Sequence, residues 1–445
     1  MTVKITPLGG VGGVGKNSFL FETGKTGILV DCGLDPAVFA KGDNSIIPPE
    51  RLDILDDAMR RGVDIYSLLT HYHFDHIGAI AELFARGIKN ERIIMSSWTS
   101  SFLYLRQDSL GIQLGDNPPW KIINERNRSR ESTLSLGDFR VTPIPLNHSA
   151  YGAFAPLMIG GGRKILHLTD FKFWGFLRTV RDNGIMRDGR DWFEDILRKV
   201  RGKNPVDCLL LDALNSDLAG FTPPEEEVVK SLEGIIREAP GRVFISCISS
   251  NLQRIEEIIK MLTRLGKTYA MVGSSMRGSF SMLKRRLNKA GAGFPVRDYN
   301  EADVIFITGS QGEENAAIQK MLDGGEERLP EFLSDDWFVS SSRVIPGNEE
   351  QVRRSIIGIS RRVAKVIIHF GEIAKIGLPV GVAEERFTHV SGHDQLGGLG
   401  KVLEILEPRL VVPIHAPWDR VAMFEKAFGS SYNIRRLQVG ETLEI

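Results

Sequence analysis

Six consecutive residues constrain this chain more than any other feature: His71-Tyr72-His73-Phe74-Asp75-His76, between an apolar run at 65–70 and a helical pattern that ends at Gly87. In extended chain, side chains two apart point the same way, so His71 and His73 can reach one metal ion together. Where the chain turns into the helix, Asp75 and His76 are free to reach a second. The whole chain has nine histidines, and chance would place this pattern with a probability on the order of 10⁻⁴. A lone histidine is usually a satisfied structural residue, but three within six positions read as ligands. They give only part of two coordination spheres, so more His or Asp must come from other strand ends. His148 ends 141–148, Asp170 ends 164–170 and His415 ends 409–415, each at a strand exit, where α/β architectures place ligands. Alone, each reads equally as a cap or turn residue. Together they make five His and two Asp, a donor set that favours zinc over magnesium or calcium.

A chain of 445 residues has room for two or three domains. Its 56 basic and 56 acidic residues exclude a simple polycation that coats nucleic acid and an acidic tail, though not a local basic groove. No stretch approaches the ~18 apolar residues of a membrane span, and MTVKITPLGG predicts no secretory signal. Cys32, Cys208 and Cys247 fit neither a disulfide framework nor a metal knuckle, and read as buried thiols in a reducing cytosol. GGVGGVGKN at 9–17 invites a phosphate-loop reading. It lacks the GK[ST] ending and precedes a strand-like segment, so a tight turn is expected. Residues 172–203, within a stretch bearing eleven Lys and Arg at 163–203, read as a charged connector. From FTPPEEE at 221–227 onward, strand-like and helical segments alternate as in a parallel α/β layer.

The HxHxDH cluster with a downstream His, a later Asp and a final His is similar to the metallo-β-lactamase fold, with Asp31 in LVDCG at that fold's early aspartate. The resemblance implies that His71, His73 and His148 hold one zinc, that Asp75, His76 and His415 hold the other, that Asp170 bridges them and that Asp31 supports the ligand loop. The segments after Asp170 narrow the family. LLLDALNSD with Asp212, THVSGHD with His393 and VVPIH with His415 resemble the three extra motifs of β-CASP nucleases. FTPPEEE, ISCISSNLQRIEEII, FITGSQGE and SSRVIPGNE resemble ribonuclease J in order and spacing. Two departures are visible: Ala416-Pro417 replaces the usual Gly-Glu after His415, and Gln253 stands where SNxHR has a histidine.

What the resemblance implies is an α/β chain: an αββα metallo-β-lactamase sandwich built from 1–220 and 375–445, with an inserted α/β β-CASP domain at 221–374. It implies two Zn²⁺ per chain, with Mn²⁺ as a substitute, single-stranded RNA as partner, a homodimer and a cytoplasmic enzyme. His415 in the third motif leans toward RNA rather than DNA. The expected chemistry is phosphodiester hydrolysis, as 5′-to-3′ exonuclease, endonuclease or both. The metals would supply hydroxide and neutralise phosphoryl oxygens. His393, oriented by Asp212, would protonate the leaving 3′-oxygen. Expected substrate contacts are His389, Ser391, Gly392 and His393, with Ser249, Ser250, Asn251 and Ser310; ordinary strand-to-helix turns are the bland reading of the last four. Arg277, Lys284, Arg285, Arg286, Lys289 and Arg297, with no acidic residue between Met276 and Arg297, read either as a solvated helix face or as a basic entrance for RNA. A DNA nuclease, a small-molecule metallohydrolase and a non-enzymatic binding module are the competing classes.

Overall fold

The computed structural model describes residues 2–35, 48–115, 120–123, 133–174, 179–182, 185–296, 298–324 and 328–445. They divide into two compact units, one made of 2–35, 48–222 and 391–445, the other of 223–390.

The first unit contains two sheets. One is ordered 443–444, 4–9, 18–23, 26–30, 64–69, 93–96, 121–123, antiparallel up to 26–30 and parallel thereafter. The other is ordered 411–414, 208–212, 163–168, 154–160, 139–145, 134–136, with its first three strands mutually parallel. Alternation along Cys208–Asp212 explains why the second sheet is covered on both faces. Cys208 and Leu210 join Phe19, Phe21, Ile28 and Val30 of the first sheet in one core. Leu209 and Leu211 join Trp192, Phe193 and Leu197 of the Gly189–Arg201 helix and Leu399, Val402 and Leu403 of the Leu396–Leu406 helix in another.

That Gly189–Arg201 helix corrects the reading of 172–203 as a connector. Trp192, Phe193, Leu197 and Val200 form its buried stripe, while its cations stay on the other face, so the charge density concealed an amphipathic helix. The described part of the same stretch also holds a hairpin, Thr179–Asp182 with Ile185–Asp188. The glycine-rich 9–17 segment is a turn between antiparallel strands, as expected, with Gly10 and Gly12 at positive φ. All three cysteines are buried and free.

The second unit is built on a fully parallel six-stranded sheet, ordered 269–272, 304–307, 243–246, 337–340, 365–369, 384–386. Phe244, Ile305, Phe338 and Val366 pack on one face with Ile318, Val352 and Ile356, and the alternate residues Ile245, Phe306, Val339 and Ile367 are equally buried. The division between units falls at Val390/Ser391, later than the 374/375 boundary read from sequence. The cause is the strand Glu384–Arg386, which pairs in parallel with Lys365–His369 and keeps the chain in the second sheet. No helix among the described residues is long and apolar enough to cross a membrane.

Candidate metal centre

The seven predicted metal ligands converge in the first unit. His71, His73, His148 and Asp170 offer ligand atoms all within 4.8 Å of one another, and so do Asp75, His76, Asp170 and His415. Asp170 belongs to both groups, and its two oxygens face opposite ways. Oδ2 lies 3.4 Å from His71 Nε2 and 3.5 Å from His148 Nε2; Oδ1 lies 3.2 Å from His76 Nε2 and 3.8 Å from His415 Nε2. Donors at 2.0–2.2 Å around a tetrahedral ion are about 3.3–3.6 Å apart, so these spacings fit two ions sharing one carboxylate. The fit has a second sign: Nε2 of His71 and of His415 are buried and make no hydrogen bond among the described residues. Two orphaned lone pairs aimed into a carboxylate-lined centre are what an ion would satisfy.

Which nitrogen is free is fixed from behind for His71, His76, His148 and His415. The Thr70 hydroxyl donates to Asp31 Oδ2 at 2.8 Å, so its own lone pair receives the His71 Nδ1 proton at 3.1 Å and leaves Nε2 bare. His76 Nδ1 donates to Asp31 Oδ2 at 2.7 Å, His415 Nδ1 to Asn17 Oδ1 at 3.1 Å and His148 Nδ1 to the Gly392 carbonyl at 3.0 Å. Such outer partners set the tautomer and raise ligand basicity. Asp31 and His415 hold this geometry at positive φ, 62° and 55°, a conformation that costs a non-glycine residue about 1–3 kcal/mol. Burial, together with neighbouring histidines, holds His73 and His148 well below the usual imidazole range, so both are neutral donors. Burial opposes ionisation of Asp170, but His415, His76 and His393 outweigh it and keep the carboxylate charged.

His393 and Asp212 form the adjoining pair. His393 Nδ1 donates to Asp212 Oδ2 at 2.7 Å, its Nε2 lies 3.9 Å from Asp170 Oδ2, and its ring stacks on His415 at 5.0 Å. Burial works against protonation of His393, yet Asp212, Asp170 and Asp75 push it up to about 9. At neutral pH this imidazole therefore carries a proton on the atom that faces the metal ligands. The His393 carbonyl is gripped by Asn215 at 2.9 Å and by the Thr222 hydroxyl at 2.7 Å. Asp394 braces the same loop by accepting the N–H groups of Phe173, Thr222 and Gln395.

The other predicted contacts fall into two groups. Ser391 and Gly392 lie in the first unit beside His393. Ser391 Oγ accepts from Asn215 Nδ2 and from the His393 N–H. Gly392 must be glycine, because a Cβ there would sit 2.7 Å from His148 Cε1. His389, Ser249, Ser250, Asn251 and Ser310 lie in the second unit, past the carboxyl ends of its parallel strands. Asn251 is committed locally, since its side chain accepts from Arg254 N as the N-cap of the Leu252–Arg264 helix.

Several contributors escaped sequence reasoning. Asn17 ties both ends of the chain to the site, because it also donates to the Asp75 carbonyl at 3.0 Å. In the second unit Arg254 is fully buried and uses every N–H it has. Two go to Glu225 at 2.8 and 2.9 Å, one to the Val390 carbonyl, and the two on Nη1 are shared among the Ser341 carbonyl, the Ser341 hydroxyl and His389 Nδ1 at 2.9 Å. A permanent cation donating to Nδ1 leaves the His389 proton on Nε2. The signal available in the sequence was the Ser-Asn-x-x-Arg spacing, which part of the resemblance already used.

The chain is similar in sequence and fold to known proteins. Residues 11–157 match the family model of the metallo-beta-lactamase superfamily, and residues 240–359 that of the ribonuclease J beta-CASP domain. Ribonuclease J of Mycobacterium tuberculosis is 30% identical over 94% of this chain and 69% of its own length. The Sinorhizobium meliloti ribonuclease J is 29% identical over 99% and 73%, and that of Helicobacter pylori 28% identical over 100% and 61%. A protein of unknown function from Enterococcus faecalis, 14% identical, shares the fold over the full length of both chains with a TM-score of 0.62. The chain belongs to the ribonuclease J family, metal-dependent nucleases in which a metallo-β-lactamase domain is combined with a β-CASP domain.

Proposed function

We propose that the protein is a zinc-dependent ribonuclease that hydrolyses phosphodiester bonds of single-stranded RNA in the cytoplasm, as a 5′-to-3′ exonuclease, an endonuclease or both, and that it works as a homodimer. His71, His73 and His148 would hold one Zn²⁺ and Asp75, His76 and His415 a second, with Asp170 available to both and Mn²⁺ able to substitute. The observation that carries the reading is the two-sided Asp170 carboxylate with His393 beside it, Nε2 at 3.9 Å from Asp170 Oδ2 and Nδ1 bonded to Asp212. Residues 1–220 and 375–445 supply the chemistry in this assignment and 221–374 the β-CASP domain, with the Glu384–Arg386 strand as the exception noted above.

Bound divalent ions would lower the pKa of water and neutralise charge on the phosphoryl oxygens. The remaining work belongs to side chains. His393 holds a proton at Nε2 and delivers it to the departing 3′-oxygen, while Asp212 fixes the ring by accepting from Nδ1 and stabilises the imidazolium before transfer. Asn215 and Thr222 keep the ring from drifting by anchoring its own carbonyl. In the second unit His389 offers Nε2–H to a nucleotide phosphate, together with the hydroxyls of Ser249, Ser250 and Ser310; in the first unit Ser391 and Gly392 are assigned as substrate contacts beside His393, the glycine allowing close approach of backbone. Asn251 shapes that loop as a cap.

The test is cleavage of 5′-monophosphorylated, 5′-triphosphorylated and circular RNA of one sequence, beside matched single-stranded DNA, with metal content measured on the same sample. Mononucleotides released only from the monophosphorylated strand identify a 5′ exonuclease, and a cut circle identifies an endonuclease. Two equivalents of zinc with intact RNA throughout, or faster cleavage of DNA, defeats the reading.

A further inference from the structure

The Ser274–Lys289 helix buries Met276, Ser279, Leu283 and Leu287. At 100° per residue the opposite face carries Arg277, Ser281, Lys284, Arg285, Asn288 and Lys289, all exposed. No Asp or Glu occurs from 274 to 296. The structure removes one cation from the run read in the sequence, since Arg286 lies on the flank and pairs with Glu256 at 2.6 Å. Arg297 lies outside the described residues. Arg277, Lys284, Arg285 and Lys289 form no ion pair among the described residues.

An ordinary solvated helix face mixes signs, and other helices of this unit do so. Lys230 pairs with Glu226, Arg237 with Glu233 and Arg354 with Glu350, each four residues apart. Four unpaired cations on one stripe repel one another, a cost that a bound polyanion would reverse. Beside them stands Phe294, 58% exposed, its ring met edge-on by Phe280 at 6.4 Å and by Lys284 Nζ at 5.6 Å from its centroid. An isolated exposed phenyl needs no explanation. One set among phosphate-binding cations has the make-up of a platform for an unpaired base.

We propose that this face of the Ser274–Lys289 helix, with Phe294, is an accessory binding surface for single-stranded RNA, distinct from the residues that hold the reacting nucleotide. Phosphates sit at Arg277, Lys284, Arg285 and Lys289, and a base stacks on Phe294. The identity of the polyanion rests on the ribonuclease reading; the surface itself does not. A duplex would use the cations alone, because its bases are already stacked.

The test measures the Kd of non-hydrolysable 2′-O-methyl phosphorothioate strands from about 4 to about 40 nucleotides, single-stranded and duplex, at several salt concentrations. The metal-loaded proteins compared are the full chain, the triple variant Lys284→Gln/Arg285→Gln/Lys289→Gln and Phe294→Ala, with cleavage of matched unmodified RNA followed on the same samples. On long single strands the triple variant should weaken binding about tenfold at low salt and reduce the log–log salt slope by about 2. Phe294→Ala should weaken it about fivefold with the slope unchanged, and only for single strands. The shortest strands should bind and be cut as before. Kd values that coincide with wild type at every length, or that shift equally at the shortest, overturn the proposal even if RNA is cleaved. Length-dependent loss of binding in the variants supports it even if no RNA is cleaved, an outcome that would instead defeat the ribonuclease reading. Equal loss for Phe294→Ala on single strands and duplex overturns the stacking role.

Discussion

The metal-ligand cluster of the first unit and the carboxyl edge of the second unit's sheet are built on opposite plans. In the first, four of the histidine ligands are oriented by outer partners, Thr70 behind His71, and Asp31, Asn17 and the Gly392 carbonyl deciding which lone pair of His76, His415 and His148 is bare. In the second, one buried ion pair, Arg254 with Glu225, orients His389, and the hydroxyls of Ser249, Ser250 and Ser310 are carried on turns after the strands. Chemistry at an ion demands several donors at fixed spacing, and each donor needs a partner. Recognition of a phosphate end tolerates short, adaptable donors carried on turns. The contrast predicts all-or-none damage in the first region and graded damage in the second.

The largest effect should come from Asp170→Asn, which removes the one charge that faces both ligand sets. RNA cleavage should fall on the order of 10⁴-fold, with metal content below that of wild type. Full metal occupancy with activity within about tenfold of wild type would break the comparison. Next is Arg254→Met, which leaves Glu225 buried without the guanidinium and His389 without its donor. Urea unfolding should report a loss of about 3–5 kcal/mol, while metal content stays the same. Asp212→Asn follows. Asp212 is among the charges that hold His393 protonated, so removing it lowers the imidazole pKa and shrinks the supply of protons as pH rises. Wild-type activity should hold below about 9 and decline as pH rises through that value. In the variant the decline should begin at lower pH, with a loss of about 10²-fold at pH 8 that shrinks toward pH 6. Parallel pH profiles would mean that His393 is not the proton donor.

The same contrast explains what could be read in the sequence. Ligands were legible because extended chain imposes a two-residue period and strand exits mark where functional side chains emerge, so His71, His73, His148, Asp170 and His415 could all be named. Asn17 was not legible, since its significance lies in a hydrogen bond to a histidine 398 positions away. The Gly189–Arg201 helix was hidden by its own solvent face, where charged residues of both signs outnumber the apolar stripe. The boundary near 374 was misplaced because the Glu384–Arg386 strand reads Glu-Glu-Arg. A charged edge strand resembles a loop in sequence, and its charges serve to deter further strand pairing.

Asn251→Ala should produce the smallest change and discriminates most finely between the two plans. The side-chain oxygen of Asn251 accepts Arg254 N–H at 3.1 Å and caps the Leu252–Arg264 helix, so it is occupied before any substrate arrives. Loss of an N-cap costs about 1 kcal/mol, and thermal unfolding should register a drop of that size. If the residue only shapes the loop, KM for 5′-monophosphorylated RNA should rise no more than about threefold and kcat should stay constant. Asn251→Asp keeps the capping oxygen and adds a negative charge, so it separates two possibilities that alanine leaves joined. Restored stability with restored KM means that the cap is the whole role of Asn251. Restored stability with a KM still worse than that of alanine means that the side chain also lies close enough to the bound phosphate to repel it, and that the second region shares the tight commitment of the first.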